Sequence, residues 1–362
     1  MTFFAMMIRR IDWILFLSVM VLTALGLLGI WSVDLAQDPT ALSHFKKQFF
    51  VVIGGIAISV LGALMDYRVV RSLARLLYVG GLILLAALFV FGVTIRGTQG
   101  WFQIGGFTFQ PVEIAKLFLV IGLAKHLDRY AHIVDWQVLT RVGIIAGAYV
   151  GLTIIQPDFG SALVLLAIAV GLLLMTNVPR RYLVSGGALM VVLAFTMWML
   201  VLKDYQKDRI LTVIDPNQDP FGSGYNIRQS VIAVGAGGLF GRGLGEGSQS
   251  QLRFLPEAQT DFIFAVIAEQ FGFLGVVLLL GAYGVIVIRL VLICQRTRDG
   301  FAQFCVIGFL ILIVAQAILN VGMNIGLLPI VGLPLPFVSL GGSALLANFL
   351  MLGLVQSIRV RG

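Results

Sequence analysis

The sequence has few charged residues, cysteines and histidines, and each shortage excludes a class of protein. Only 12% of its 362 residues are Asp, Glu, Lys or Arg, against about 25% in an average soluble domain. Two cysteines, Cys294 and Cys305, give neither an extracellular disulfide framework nor a metal-binding spacing. The histidines His44, His126 and His132 are too scattered for a zinc cluster. A soluble enzyme, a disulfide-rich secreted domain and a zinc protein are therefore not expected.

Hydrophobic residues make up 59% of the chain, and they occur in continuous runs of about 20. Runs of that length favour membrane-spanning helices over the short alternating strands of a barrel. The 42 glycines fit close contact between such helices. The predicted fold class is all-α: a polytopic membrane protein with about ten transmembrane helices, forming one integral membrane domain over residues 1–362.

Ten apolar segments are long enough to cross a bilayer. They lie at roughly 11–33, 48–65, 76–95, 111–127, 138–156, 159–177, 182–202, 262–292, 303–327 and 337–357. The first run follows Arg9 and Arg10 and is too long for a signal-peptide core, so an uncleaved span is expected. The eighth run is so long that it must tilt or protrude. A large polar loop, 203–261, joins spans seven and eight.

The basic residues predict the orientation of the chain. Most Lys and Arg residues near span ends fall on one side, whereas the short loops of the other side hold Lys46, Lys47 and Arg96. The positive-inside rule places both termini in the cytoplasm and the 203–261 loop outside. Much of the formal charge of +8 is thus explained by topology, and no nucleic-acid partner is expected.

Glu113 and Lys116 lie in the fourth span, three residues apart and therefore on one helix face. Pro111 is expected at the start of that helix. Two interpretations are equally supported by the residues: a self-neutralising pair that lets the helix enter lipid, or the lining of a polar cavity. The preceding segment has Trp101 among glycines and phenylalanines, which is typical of an interfacial, re-entrant or surface-lying stretch.

Three more carboxylates lie at or inside span ends. Asp158 follows Pro157 in a turn and is read more readily as the cap of span six than as a catalytic group. Asp261 precedes span eight, where the N-cap interpretation is again favoured by pattern alone. Glu269 lies two turns deeper, where an unpaired charge costs about 2.5–3.5 kcal/mol, so it needs a partner or a wet cavity.

The 203–261 loop has two features that point towards anion binding. The run Ala236–Gly247 contains glycines that would let backbone amides approach an anion, although a plain hinge is the commoner explanation. Arg228, Arg242 and Arg253 would add positive charge nearby. The stretch Tyr225–Ala236, which leads into the glycine run and includes Arg228, is predicted to form an amphipathic helix.

The segment between spans nine and ten is rich in proline and glycine at membrane depth. Non-helical backbone is tolerated there only against protein or a wet cavity. Spans nine and ten are therefore expected to flank a cleft together with the long loop.

Five ordered motifs together resemble the SEDS family (shape, elongation, division and sporulation), the RodA/FtsW peptidoglycan glycosyltransferases. They are Gln110-Pro-x-Glu-x-x-Lys116, Gln156-Pro-Asp-x-Gly160, Gly224-Tyr-Asn-x-x-Gln-Ser230, Leu255-Pro-Glu-Ala-x-Thr-Asp-Phe-Ile-Phe264 and Gly332-Leu-Pro-Leu-Pro-Phe-x-Ser-x-Gly-Gly-Ser343. The stretch Gly247–Glu257 is similar to the RodA branch. Two positions depart from the pattern: Gln259 replaces a common histidine and Leu340 a common tyrosine.

The resemblance implies an enzyme of the bacterial cytoplasmic membrane that polymerises glycan strands from lipid II at the outer face. The essential aspartate of the family corresponds to Asp261, which we expect to be the general base. The substrate-binding residues expected are Glu113, Lys116, Arg96, Trp101, Asp158, Arg228, Arg242, Gln249, Glu257 and Ser339. A divalent cation, Mg²⁺ or Mn²⁺, is implied by the chemistry of the family alone, and Asp261 is its candidate ligand.

The same resemblance implies the partners: lipid II, the nascent glycan strand, a class B penicillin-binding protein and other membrane proteins of the elongation complex. Two other functions stay open at this stage. A lipid II flippase would use Glu113, Lys116 and Glu269 as a polar path, and a scaffold would only recruit a transpeptidase.

Overall fold

The structure is a computed structural model and describes residues 10–37, 40, 42–95, 97–105, 107–130, 135–202, 204–215, 219, 222–252 and 254–362. Helices dominate it. They are α1 (Trp13–Gln37), α2 (Ser43–Leu64), α3 (Tyr67–Phe91), α4 (Pro111–Tyr130), α5 (Trp136–Ile155), α6 (Phe159–Leu174), α7 (Arg180–Thr196), α8 (Asp204–Ile214), α9 (Ser223–Ala236), α10 (Ser248–Gln251), α11 (Ile263–Arg296), α12 (Gly300–Asn324) and α13 (Gly342–Arg361).

The helices confirm the predicted membrane-protein fold. Among the described residues, eight helices are long and apolar enough to cross a membrane, namely α1, α2, α3, α5, α7, α11, α12 and α13. The other two predicted spans are also helical: α6 is apolar but has only 16 residues, and α4 contains Glu113 and Lys116. Helix α7 ends in a π-helical turn, Met197–Val201.

Aspartates define where several of these helices begin. Asp66, Asp135, Asp158 and Asp299 each accept a hydrogen bond from a backbone N–H in the first turn of α3, α5, α6 and α12. Such caps satisfy N–H groups that have no partner inside the helix. The predicted capping role of Asp158 is therefore confirmed, whereas the N-cap position of α11 is occupied by Phe262 and not by Asp261.

Close helix contact depends on glycine, as the composition predicts. Helices α2 and α13 pack along their length, and Gly62 of α2 faces Gly353 of α13. A Cβ atom on Gly62 would lie 3.2 Å from the Cα of Gly353, so the two backbones approach as closely as only small residues allow.

The segment before α4 folds as a small antiparallel sheet with strands β1 (Val93–Ile95), β2 (Thr98–Ile104) and β3 (Phe107–Phe109), in that order. Val93 pairs with Trp101, and Phe102 pairs with Phe109. The sequence predicts a surface-lying or re-entrant stretch here but not its strands. Arg96, a predicted substrate-binding residue, lies outside the described residues, as do Arg9, Lys203 and Arg253.

Helix α11 covers the predicted eighth span, but it contains a break that the sequence does not predict. Gly272 has φ 64° and ψ −160° and divides the helix in two. A side chain there would be strained, and its Cβ would overlap the backbone N of Gly241. The first segment, Ile263–Gln270, is buried throughout, and the second one, from Phe273 to Arg296, continues across the apolar layer.

The glycine-rich loop of residues 237–243 fills the break in α11. Backbone amides of Arg242 and Gly243 donate to the carbonyls of Glu269 (2.9 Å) and Gln270 (3.1 Å). In return, the amide of Phe273 donates to Gly238 (2.9 Å). Polar backbone groups inside a membrane must find partners within the protein. The amides of Arg242 and Gly243 are therefore engaged by carbonyls and are not available to an anion, whereas anion binding elsewhere in the run Ala236–Gly247 stays a prediction.

The segment between α12 and α13 is non-helical, as predicted, and it packs against protein. Leu333, Leu335, Phe337 and Val338 are all buried. This segment and the turn before α11 form one wall of a cavity.

Candidate active site

A cavity of about 780 Å³ lies where the β1–β3 sheet, helices α5 to α8, the turn before α11 and the 329–344 segment meet. One part of its wall is apolar and comes from α5 and α7, with Val150, Ile154, Leu193, Met197 and Trp198. None of the residues of α7, all of which the structure describes, is buried. This wall therefore packs loosely and is suited to the acyl chain of a lipid.

The other part of the wall is polar and collects residues that are distant in sequence. They are Trp101, Gln110, Asp158, Gln206, Arg209, Thr260, Asp261 and Ser343. Among the described residues that line the cavity, the charged ones are Asp158, Arg209 and Asp261. The cavity thus combines two carboxylates and one guanidinium with a long apolar wall, an arrangement that matches an amphiphile with a polar head.

Asp261 is held by its backbone while its side chain faces the cavity. Its carbonyl accepts hydrogen bonds from the side-chain amides of Asn320 and Asn324, each at 3.0 Å. Its carboxylate lies beside Gly332, where a Cβ atom would stand 3.6 Å from Oδ2. Gly332 has φ 65°, a conformation that favours glycine. The predicted cleft between spans nine and ten and the long loop is supported in part: residues at the start of α13 line the cavity with Asp261, whereas α12, which the structure describes in full, contributes no lining residue.

The turn before Asp261 uses two of the predicted substrate-binding residues for structure. Glu257 has φ 53°, and its carboxylate accepts a hydrogen bond from the Thr260 hydroxyl at 3.1 Å. Ser339 donates its hydroxyl to the Thr260 carbonyl at 2.6 Å and accepts from the Leu335 amide at 2.8 Å. Neither Glu257 nor Ser339 lines the cavity. Both shape the backbone that carries Asp261.

Glu113 and Lys116 form a buried ion pair behind the cavity wall. Lys116 Nζ lies 2.7 Å from Glu113 Oε1, and the Lys116 side chain is 0% exposed. The pair does not line the cavity, so the self-neutralising interpretation of these two residues describes the contact. The pair still affects the wall through Asp158. Burial raises the pKa of Asp158, and the hydrogen bond from Ser161 and the charge of Lys116 partly oppose that increase.

Gln110 links that pair to the cavity. Its side-chain amide lies 3.4 Å from Asp158 Oδ2, and its backbone N–H donates to the Ser343 hydroxyl at 2.9 Å. The start of α4, the turn before α6 and the start of α13 are therefore joined at the cavity wall. Trp101 and Asp158, both predicted as substrate-binding residues, line the cavity as expected.

Three other predicted substrate-binding residues are not among the residues that line the cavity: Arg228, Arg242 and Gln249. Arg242 is exposed, and its Nε donates to the Ala236 carbonyl at 3.1 Å. The backbone N–H of Gln249 donates to the Glu269 carboxylate at 2.8 Å. Arg228 lies in α9 and Gln249 in α10, whereas Arg242 lies in the loop packed against the break in α11.

Glu269 has the partner that its depth requires, and that partner is backbone. It is 0% exposed, and its two oxygens accept from the amides of Gln249 (2.8 Å) and Ser250 (3.0 Å) at the start of α10. A Cβ atom on Gly247 would come within 2.5 Å of Glu269 Oε2, so this neighbouring position has to be glycine. Glu269 therefore stabilises the loop and does not enter the cavity.

Sequence reasoning missed Gln206 and Arg209, which bring polar groups from α8 into the cavity. Their charged neighbours, including Asp204 and Lys207, suggest an ordinary solvated helix. The available signal was the spacing of three residues, which places Gln206 and Arg209 on one face of a short helix directly after an apolar span.

Comparisons with known proteins match the chain over nearly its whole length. A family model described as "Cell cycle protein" (FTSW_RODA_SPOVE) matches residues 12–361. Peptidoglycan glycosyltransferase MrdB of Escherichia coli K12 is 36% identical over 354 residues, covering 96% of this chain and 93% of the relative. A probable peptidoglycan glycosyltransferase FtsW of Thiomicrospira cyclica is 35% identical over 97% of this chain and 92% of its own.

Solved structures show the same fold. A chain from a peptidoglycan synthase complex, solved in work on the coordination of polymerization and crosslinking, superposes with a TM-score of 0.83 at 33% identity, covering 96% of this chain and 97% of that one. The rod shape determining protein RodA of Thermus thermophilus gives a TM-score of 0.72 at 31% identity, with 96% of both chains covered.

Proposed function

This chain belongs to the FtsW, RodA and SpoVE family and is a peptidoglycan glycosyltransferase of the RodA type, and we propose that its reaction takes place in the cavity lined by Asp261. The observation that carries the proposal is the composition of the cavity wall. Asp261 and Arg209 lie in the same cavity as the apolar residues of α5 and α7. A substrate would meet a matching group for each of its parts: Asp261 for the sugar, Arg209 for the diphosphate and the apolar wall for the polyprenyl chain.

Asp261 is the proposed general base. It accepts the proton of a sugar hydroxyl on the incoming lipid II, and that oxygen attacks the anomeric carbon of the growing strand. The bond from that carbon to undecaprenyl pyrophosphate breaks with inversion, and the diphosphate leaves with the bonding electrons. A base must lie within hydrogen-bond reach of the hydroxyl, and a carboxylate on the wall of a cavity meets that condition.

Arg209 is the proposed ligand of the departing diphosphate, in place of Lys116, Arg228 and Arg242. A guanidinium donates two parallel hydrogen bonds to phosphate oxygens and keeps its charge at any physiological pH. Stabilising the negative charge that develops on the leaving group lowers the barrier directly. Lys116 contributes only through its field at Asp158, because it is buried and paired with Glu113.

A divalent cation remains a proposal for this site. Among the described residues, no group of three or more His, Cys, Asp or Glu side chains is placed to hold one. Mg²⁺ is commonly bound by one or two carboxylates together with substrate phosphates, which Asp261 and a diphosphate would provide. The ion would neutralise phosphate charge, and its removal by EDTA, with Mg²⁺ or Mn²⁺ added back, tests whether polymerisation needs it.

The chain is a multi-pass membrane protein, and its orientation follows as a proposal from the distribution of Lys and Arg. Both termini lie in the cytoplasm, and the cavity opens towards the outer face of the cytoplasmic membrane, where lipid II is displayed. Labelling of single cysteines introduced at Glu246 and Arg361 in intact cells tests this: only the first should react with an impermeant reagent.

The proposed partner is a class B penicillin-binding protein, supported by the likeness to a chain of a peptidoglycan synthase complex. Other elongation-complex membrane proteins are proposed on the RodA-like motifs alone. The flippase alternative loses support from the structure, because Glu269 is bound by backbone amides and Glu113 by Lys116. A scaffold without catalysis would leave the cavity without a role.

The test is polymerisation of lipid II by the purified protein. Asp261→Asn should lower the rate by about 10²- to 10⁴-fold, the usual contribution of a general base, without changing the thermal unfolding midpoint. Glu246→Gln is the control, since it neutralises an exposed carboxylate in the same loop region. Long glycan made by Asp261→Asn at the wild-type rate would remove Asp261 from catalysis.

A further inference from the structure

A second aspartate, Asp34, is connected to the turn that carries Asp261. It lies near the end of α1 and is 3% exposed. Its Oδ1 accepts a hydrogen bond from Gln259 Nε2 at 2.8 Å, and its Oδ2 accepts one from the Phe45 backbone N–H at 2.7 Å. His44 Nδ1 lies 3.0 Å from Oδ1, and this imidazole is 46% exposed. The proposed reaction gives Asp34 no role.

Asp34 also stabilises the start of α2. The N-cap residue of that helix, Leu42, has φ 45° and provides no side-chain hydrogen bond. The carboxylate of Asp34 supplies the missing acceptor through the Phe45 amide. One turn later Gln48 donates to the Ser339 carbonyl at 3.0 Å. The end of α1, the start of α2 and the segment beside the catalytic turn are thereby joined into one unit.

The backbone of that turn is held at three consecutive carbonyls. Gln259 accepts from the Leu340 amide at 2.8 Å, Thr260 from the Ser339 hydroxyl at 2.6 Å, and Asp261 from Asn320 and Asn324. These hydrogen bonds fix the position of the backbone of the turn. The hydrogen bond from the Gln259 side chain to Asp34 adds a side-chain contact to the same turn.

We propose that Asp34 is a positioning residue that orients the Asp261 carboxylate in the cavity through Gln259. The inference rests on the proposed role of Asp261. A hydrogen bond from an amide to a buried carboxylate is stronger than a neutral one, and its loss lets the 259–261 turn relax. A displacement of about 1 Å at a reacting group can lower the rate by about 100-fold.

The test compares Asp34→Ala, Gln259→Ala and the double variant. The kcat for lipid II polymerisation, per folded molecule, should fall about 10- to 100-fold in each single variant, with a much smaller change in KM. The double variant should be no slower than Asp34→Ala, since both changes break the same hydrogen bond. Gln259→His should keep most of the activity, because an imidazole N–H also donates to a carboxylate.

Asp12 provides the matched control. It is 3% exposed, lies at the other end of α1 and pairs with Arg289 at 2.6 Å. Asp12→Ala removes an equally buried carboxylate, so it should lower the unfolding midpoint while leaving kcat per folded molecule unchanged. If Asp34→Ala does not fold, Gln259→Ala serves as the test variant, because it removes the other partner of the same hydrogen bond.

Hydrogen exchange of peptides covering 257–262 supplies a measurement that needs no substrate. Exchange there should be faster in Asp34→Ala and Gln259→Ala than in the wild type or Asp12→Ala. A wild-type kcat in folded Asp34→Ala, additive losses in the double variant, or unchanged exchange would each overturn the inference. A wild-type protein that makes no polymer but shows the expected exchange pattern would instead reject the proposed function.

Discussion

Asp261 and Glu269 are eight residues apart in the sequence, and the protein surrounds them in opposite ways. The Glu269 carboxylate is fully buried and receives two backbone amides of α10. At Asp261 the backbone carbonyl is held instead, by Asn320 and Asn324, and the side chain faces the cavity. The two carboxylates therefore differ in what they meet: backbone amides at Glu269 and a cavity at Asp261.

The two regions also use glycine differently. Around Glu269, Gly241 and Gly272 let a loop and a broken helix exchange hydrogen bonds at close range. Beside Asp261, Gly332 has φ 65°, a backbone conformation that favours glycine. We expect substitutions in the first region to lower stability and those in the second to lower activity. Four substitutions test this expectation and are given in order of decreasing expected effect.

Glu269→Ala should cause the largest loss of stability. Two buried amides, those of Gln249 and Ser250, would lose their acceptor, at about 1–3 kcal/mol each. Thermal unfolding in detergent should show a clearly lower midpoint, with unchanged kcat per folded molecule. Asp261→Ala is the counterpart, with a near wild-type midpoint and almost no polymer. A Glu269→Ala protein of wild-type stability would contradict the structural role of this carboxylate.

Gly272→Ala should cost about 2 kcal/mol or more, since it places a side chain at φ 64° and against Gly241. Gly281→Ala, on the same helix, is the matched control because a Cβ there meets nothing within 4 Å. That substitution should be neutral or slightly stabilising. Equal midpoints for the two variants would mean that the break in α11 is not needed.

Arg209→Gln should lower kcat/KM by about 10- to 100-fold, because hydrogen bonds to a charged group contribute about 1.5–3 kcal/mol. Arg209→Lys should have a kcat/KM between those of the wild type and Arg209→Gln, since lysine keeps the charge but cannot donate two parallel hydrogen bonds. Arg242→Gln is the control, because Arg242 is exposed and contacts Ala236. If Arg209→Gln polymerises lipid II as fast as Arg242→Gln, another cation holds the diphosphate.

Asp158→Asn should have the smallest effect and should appear as a changed pH dependence of stability. Burial raises the pKa of Asp158 above the ordinary value of an aspartate, so the folded protein binds this proton more tightly than the unfolded chain. Stability contributed by Asp158 therefore falls as pH rises from the unfolded pKa to the folded one.

Asparagine keeps the cap on Ser161 and removes that fall. The unfolding midpoint of Asp158→Asn should consequently drop less between acidic and neutral pH than that of the wild type. Asp135→Asn makes the same substitution at an exposed helix cap and is the control for replacing a capping carboxylate. An identical pH profile for Asp158→Asn and wild type would show that burial does not raise the pKa of Asp158.

Several parts of the fold were predictable because their causes are local. A bilayer fixes the length of an apolar span, so hydropathy alone located the ten helices. Caps act within three residues, so Asp158 was read correctly. The break in α11 was missed because an isolated glycine in an apolar run looks like a packing residue, and nothing near Gly272 in the sequence reveals the loop at 237–243.

The candidate site was predictable in part. Asp261, Asp158 and Trp101 were identified from motifs that the structure brings to one cavity. Arg209 was missed because its charge is ordinary for a short polar helix. Arg242, which does not line the cavity, was predicted because glycines surround it. In both cases the deciding fact is which side of a folded loop the side chain occupies.

The sequence by itself determined that the chain crosses a membrane many times and that a carboxylate, the proposed general base, lies directly before the eighth span. Only the tertiary structure decided that Asp261 lines the cavity with Arg209, that Glu269 is held by amides, and that Asp34 reaches Gln259. The physical reason is that hydropathy and capping act between near neighbours, whereas orientation is set by hydrogen bonds between distant segments, such as the one from Gln259 to Asp34 across 225 positions.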